Sequence, residues 1–100
     1  MIGLKVAFRL KEQQSPEEQK KLMAQLVDIY KNVPGLKQKY FLADPKTGEA
    51  GGYYAFESQE ALDGYLKSDI YKQVVLNNAQ TEPKIETFII LASLDAGVLI

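Results

Sequence analysis

The segment Glu49-Ala50-Gly51-Gly52-Tyr53-Tyr54-Ala55-Phe56 constrains this chain more than any other. Read as a strand, it presents Ala50, Gly52, Tyr54 and Phe56 on one side and Gly51, Tyr53 and Ala55 on the other, because successive side chains alternate across a sheet. Neither side is polar. A strand of this kind belongs in a sheet that is covered on both faces, so the question becomes what the remaining residues can supply as cover.

Two further strands and a helix precede this segment. Leu4, Val6, Phe8 and Leu10 alternate with Lys5, Ala7, Arg9 and Lys11, the period of two of a strand with one apolar face. Ser15-Pro16-Glu17-Glu18 combines a capping hydroxyl, a proline in the first turn and a glutamate three residues after the serine, which predicts a helix start. Leu22, Met23, Leu26, Val27, Ile29 and Tyr30 then recur at steps of three and four as its apolar stripe. Pro34-Gly35 ends it, Leu36 to Ala43 reads as the second strand, and Asp44-Pro45-Lys46-Thr47-Gly48 forms the turn of an antiparallel hairpin.

After Phe56, Ser58 is a cap for a second helix carrying Ala61, Leu62, Tyr65 and Leu66, with Gly64 as a soft spot. Ser68-Asp69 restarts a short helical segment that Asn77-Asn78 ends. Lys84 to Ala92 is the last strand, and its run Phe88 to Leu91 is again too apolar for a sheet with one face in water. The order predicts an α+β, ferredoxin-like βαββαβ fold: one domain over residues 1–100, with a four-stranded antiparallel sheet and helices on one face. Two helices cover one face only. A second copy would supply the other cover and make a dimeric α/β barrel. The apolar tail, 92–100, is read either as an arm crossing to that copy or as packing on its own domain.

Several function classes fall away on composition. Twelve basic against thirteen acidic side chains leave a net charge of −1, so no field draws in phosphate backbones, and no nucleic acid is expected as partner. There is no cysteine, hence no disulfide, thiol nucleophile or thiolate metal site, and the acidic residues show no ligand spacing, so no metal is expected. Phosphate-cradling, dinucleotide and nucleophile-elbow motifs are missing. Charge at Lys5, Arg9, Lys11 and Glu12 comes too early for a signal peptide, and no apolar run is long enough for a membrane span; the expected location is the cytoplasm, with no membrane contact.

The stretch from Pro34-Gly35-Leu36 through Glu49 to Phe56 resembles the small monooxygenases of the YdhR type in the dimeric α/β-barrel superfamily. A similar Pro-Gly opens that family's second strand, and a Glu-Ala-Gly-Gly-aromatic run opens its third; Lys5-Val6-Ala7-Phe8 is similar to its first. The resemblance implies a homodimer and a cofactor-independent monooxygenase, which oxidises a small aromatic or polyketide-like compound with molecular oxygen and needs no metal, haem or flavin. A related isomerase or cyclase, a non-catalytic module that binds a small apolar or aromatic ligand, and a domain that only dimerises are the alternatives. Members and relatives often place histidine or tryptophan in the pocket. This sequence has neither, so any catalysis must come from tyrosine, arginine, lysine, amides or carboxylates.

Among those, Arg9 is the only arginine and could stabilise a phenolate or carboxylate. Tyr40, Tyr53 and Tyr54 put three phenols on the central hairpin beside Phe41 and Phe56, flat apolar surfaces with polar tips suited to an aromatic ligand. Gln38 and Tyr40 share a strand face, and Tyr65 and Tyr71 lie on the second helical region as a facing wall. Glu49 stands beside Gly51-Gly52, where paired glycines suggest a bulge or a close approach; it is a candidate base, or a rim carboxylate balancing Lys37 or Lys46. Arg9, Tyr40 and Tyr54 are the candidate catalytic residues. Gln38, Phe41, Tyr53, Tyr65 and Glu49 are the candidate substrate contacts, around a cavity between the sheet and its own helices.

Overall fold

The structure, a computed structural model, describes residues 1–94. β1 (Ile2–Arg9), β2 (Leu36–Asp44), β3 (Glu49–Phe56) and β4 (Lys84–Ile89) form one antiparallel sheet in the order β2-β3-β1-β4. α1 (Pro16–Tyr30) joins β1 to β2. α2 (Gln59–Leu66), the single turn α3 (Asp69–Tyr71) and a π-helical turn over Lys72–Leu76 join β3 to β4. This is the α+β, ferredoxin-like arrangement that the element order predicts.

Serines start α1, α2 and α3. Ser15 Oγ accepts the Glu18 amide at 3.2 Å while Glu18 Oε1 accepts the Ser15 amide at 3.1 Å, so two otherwise unpaired amides are satisfied reciprocally. Ser58 Oγ accepts from the Ala61 amide at 3.1 Å. Ser68 does two tasks: its hydroxyl donates to the Tyr65 carbonyl at 2.6 Å and accepts from the Tyr71 amide at 3.3 Å, closing one helix and opening the next. In the hairpin, Asp44 Oδ1 accepts the Lys46 amide at 2.9 Å and Gly48 takes a φ of 78°, a conformation glycine adopts without strain.

The core lies on one face of the sheet. Leu4 and Val6 of β1 and Tyr54 and Phe56 of β3 pack against Leu26 and Tyr30 of α1, Leu62 and Tyr65 of α2, and Tyr71 and Val75. Val27 and Ile29, expected in the α1 stripe, remain 43% and 41% exposed, because a helix lying on one sheet buries a narrower arc than the six apolar residues span. The opposite face carries no helix, and there Tyr40, Leu42, Tyr53 and Phe88 stay exposed. β4 ends at Ile89 rather than Ala92. Of the tail, read as a crossing arm or as packing on its own domain, residues 95–100 lie outside the described residues.

One local irregularity decides which side chains meet. β1 and β3 pair without interruption, but β2 shifts register against β3 between Leu36 and Gln38, so that Lys37 has no partner position. Leu36 stands opposite Phe56, Gln38 opposite Ala55 and Lys39 opposite Tyr54. Adding one residue to a strand moves every later side chain to the other face. Lys39 and Phe41 therefore turn toward the helices, and Gln38 and Tyr40 away from them.

Candidate functional site

Between α1, the π-helical turn and the sheet lies a cavity of about 510 Å³. Phe8, Leu22, Met23, Leu26, Phe41 and Val74 make its apolar walls. Gln14, Gln19, Gln73 and Asn78 bring amides to it, and Tyr54 and Lys39 border it from the sheet. Asn78 is held in place by donating its side-chain amide to the Val74 carbonyl at 2.8 Å. Size and lining suit a small ligand with a large apolar body and a few polar groups.

Lys39 occupies an unusual position for a lysine. Its Nζ lies 3.3 Å from the centroid of the Tyr30 ring, 4.0 Å from that of Phe41 and 4.4 Å from that of Tyr54. The two ion pairs among the described residues are Lys31–Asp28 and Lys37–Glu57, so no carboxylate compensates it. Removal from water disfavours the ammonium and lowers its pKa from 10.5 to about 7. The ring faces pull the other way, since each offers negative quadrupole density to a cation. The amine thus gives up its proton more readily than an ordinary lysine. Gly52 makes the room: a β-carbon there would stand 3.0 Å from Lys39 Cε.

Beneath Lys39 three phenols share a buried chain of hydrogen bonds. The Tyr65 hydroxyl lies 2.7 Å from that of Tyr30 and 2.8 Å from that of Tyr54. Burial raises the pKa of all three, and the neighbouring phenols raise those of Tyr54 and Tyr65 further, so these groups remain neutral donors and are not bases. Edge and tilted ring contacts, such as Tyr30 on Phe41 at 5.6 Å and 88°, fix the box around the amine.

The residues singled out in the sequence separate into two groups. Tyr54 and Phe41 border the cavity, and Tyr65 backs it through its bond to Tyr54. Tyr71 packs on Tyr65 in the core. Arg9, Gln38, Tyr40 and Tyr53 are not brought to the cavity. Gln38 donates to the Tyr40 hydroxyl at 3.0 Å on the uncovered face, where Tyr40 pairs with Tyr53. Arg9 is exposed at the end of β1, in register with the exposed Glu49. Lys37 pairs with Glu57 at 3.3 Å and not with Glu49, whose amide donates to Thr47. The paired glycines mark no bulge: a side chain at Gly51 would run into the Val6 carbonyl, so the reason is the close approach of β1. Lys39 escaped the sequence reading. The one local sign of it was Gly52, which leaves space on the face that Lys39 fills.

Fold and cavity together define a class: ferredoxin-like α+β domains that hold an apolar pocket between sheet and helices. A family model described as "Putative mono-oxygenase ydhR" matches residues 4–96, and the chain belongs to that family. No curated protein matches it. Similar solved structures include a protein of unknown function from Nitrosomonas europaea, at 19% identity, covering 96% of this chain and 95% of that one with a TM-score of 0.68. Another is described as a "putative antibiotic biosynthesis monooxygenase" from Caulobacter crescentus, at 16% identity, 91% and 90% coverage and a TM-score of 0.66. A variant of SnoaB, a cofactor-independent oxygenase from Streptomyces nogalater, aligns at 11% identity, 93% and 95% coverage and a TM-score of 0.63. At these identities the likeness establishes the fold. No helix among the described residues is long and apolar enough to cross a membrane.

Proposed function

We propose that this chain works as a homodimer and is a cofactor-independent monooxygenase of small aromatic or polyketide-like compounds. The observation that carries the reading is the 510 Å³ cavity, apolar on most of its surface and bordered by Tyr54, Lys39 and four side-chain amides. Family membership supports the oxygenase class, and the name of SnoaB describes the same kind of reaction in a protein of the same fold.

Such a reaction needs no electrons from the protein. For a substrate with an acidic methylene, as in a hydroxyanthrone, loss of a proton gives a stabilised carbanion, which passes one electron to oxygen. The substrate radical and superoxide combine into a C–O bond, the abstracted proton returns to the peroxide, and loss of water leaves a ketone. One oxygen atom ends in the product and the other in water. The protein has to hold the substrate flat, keep bulk water out and stabilise negative charge. The apolar walls serve the first two needs and a cation serves the third.

The dimer reading rests on the uncovered face. Tyr40, Leu42, Tyr53 and Phe88 are 42%, 44%, 37% and 47% exposed there, a clustering of large apolar groups that a lone sheet would leave in water. In a dimer, Arg9, Gln38 and Glu49 would lie on the side of the sheet that meets the second copy. Oxygen uptake with a panel of hydroxyanthrones and quinols tests the activity: stoichiometric uptake with a ketone product supports it. Tight binding without uptake would make the chain a binding module, and rearrangement without uptake an isomerase or cyclase. Light scattering tests the dimer, which a monomer at micromolar concentration would overturn.

A further inference from the structure

We propose that Lys39 is the proton acceptor of this cavity and then the counter-ion of the anion it creates, so that the site selects acidic aromatics, phenols and enols, and binds them ionised. The inference deepens the oxygenase reading and rests on it only for the view that the cavity is a substrate site.

Geometry carries the argument. Lys39 borders the cavity, its Nζ stands over three aromatic rings, and it has no hydrogen bond or ion pair among the described residues. A lysine without a carboxylate in a mostly apolar box is costly to keep charged, and its natural complement is an anion delivered by a ligand. The surroundings point the same way from every packed element. α1 contributes Lys20 at the cavity and the neutral Tyr30 phenol, β3 the neutral Tyr54 phenol, and α2 the Tyr65 phenol bonded to both. The π-helical turn and the residue pair after it add only the amides of Gln73 and Asn78. The two charged residues of the lining are both lysines. Among the described residues no carboxylate pairs with either.

The step is a simple proton transfer. The lone pair of the neutral amine takes the proton of a phenolic or enolic O–H; an N–H bond forms as the O–H bond breaks, and an ammonium–oxyanion pair remains. A base works best when its pKa lies near the working pH, and burial has moved this amine there. The flat rings that hold the amine also restrict how a substrate can lie, with its ring along the Phe41 wall and its oxygen toward Nζ. Electron density then rises on the substrate ring, which is the condition for its oxidation by oxygen.

The probe is 3-nitrophenol, a weaker acid whose phenolate absorbs at a longer wavelength than the phenol. With the full chain at a pH above about 7, where the amine is free, and below the phenol's own pKa, the bound probe is expected to show the phenolate band, and Lys39→Met to bind it about 10- to 100-fold more weakly, the loss of a charge-assisted hydrogen bond. A bound probe that stays protonated overturns the proposal. Should the variant fail to fold, the wild-type protein with ¹³C-methylated lysines answers by NMR: one lysine titrates near neutrality and its pKa rises when the probe binds, and the absence of such a rise overturns the proposal. Oxygen uptake separates the two readings. Ionised probe without any uptake from hydroxyanthrones leaves Lys39 as assigned and removes the oxygenase. Uptake that is equal in wild type and Lys39→Met, with the same pH profile, removes Lys39 and leaves the oxygenase.

Discussion

On the helix-covered face of β3, Tyr54 and Phe56 are 1% and 0% exposed, whereas on its other face Tyr53 is 37% exposed although it is the chain neighbour of Tyr54. The phenols differ accordingly. Under the helices, Tyr54, Tyr65 and Tyr30 bond to one another and are held neutral by burial. On the uncovered face Tyr40 has, among the described residues, only Gln38 as a hydrogen-bond partner. Residue type is the same on both sides, so what separates a core phenol from a surface one is the element laid over it. The covered face of β1 and β3 is packed within one chain and forms the walls of a cavity, whereas the uncovered face mixes Tyr40, Leu42, Tyr53 and Phe88 with charged side chains such as Lys5, Arg9 and Glu86.

This contrast can be broken by mutation. Phe56→Ala should cost the most, about 3 to 5 kcal/mol, because a fully buried ring leaves a cavity among Tyr54, Tyr65 and Leu4; denaturant unfolding measures it, and a loss below ~1 kcal/mol would contradict the core described above. Tyr65→Phe comes next. It leaves the Tyr30 and Tyr54 hydroxyls without their shared partner, and a loss of about 1 to 3 kcal/mol is expected in the same experiment.

On the uncovered face the expected effects appear in association rather than in folding. Phe88→Glu puts a charge opposite Gly3 on that face and should shift the protein to monomers in light scattering while the far-ultraviolet circular dichroism stays unchanged. An unaltered dimer would mean that the faces do not meet as proposed. Tyr40→Phe removes only the exposed bond from Gln38 and should change stability by less than about 0.5 kcal/mol. It should also leave oxygen uptake unchanged, since Tyr40 points away from the cavity.

Lys39 supplies a pH-dependent version of the comparison. Its pKa is about 7 in the folded chain against 10.5 ordinarily, so between these values the unfolded chain binds the extra proton. Stability should therefore rise with pH from about 7, and the penalty of the half-buried ammonium should be fully present below that. The window ends near pH ~10, where the unfolded chain's tyrosines ionise and the folded chain's raised ones do not. Urea midpoints measured from pH ~7 to ~9 should climb in the wild type and stay flatter in Lys39→Met. A parallel climb in both proteins would place the titrating group elsewhere.

Much of this molecule is written in consecutive residues. Ser15, Ser58 and Ser68 mark three helix starts, Asp44 to Gly48 marks the hairpin, and the alternation in β1 and β3 sets which of their residues face the core. Caps, turns and strand period depend on neighbours in the chain, so the sequence by itself determined the element order and the ferredoxin-like fold. The pocket was different. Counting alternate residues from Leu36 puts Gln38 and Tyr40 beside Tyr54, and that is the grouping the sequence suggested. The register shift at Lys37 reverses it and sends Lys39 and Phe41 inward instead. Such a shift is a property of two paired strands and not of either alone, and the fate of Lys39 depends further on Gly52 of β3 and on Tyr30 of α1. Only the tertiary structure could place an amine among three rings, because the residues that meet there lie on three separate elements and no local pattern records their meeting.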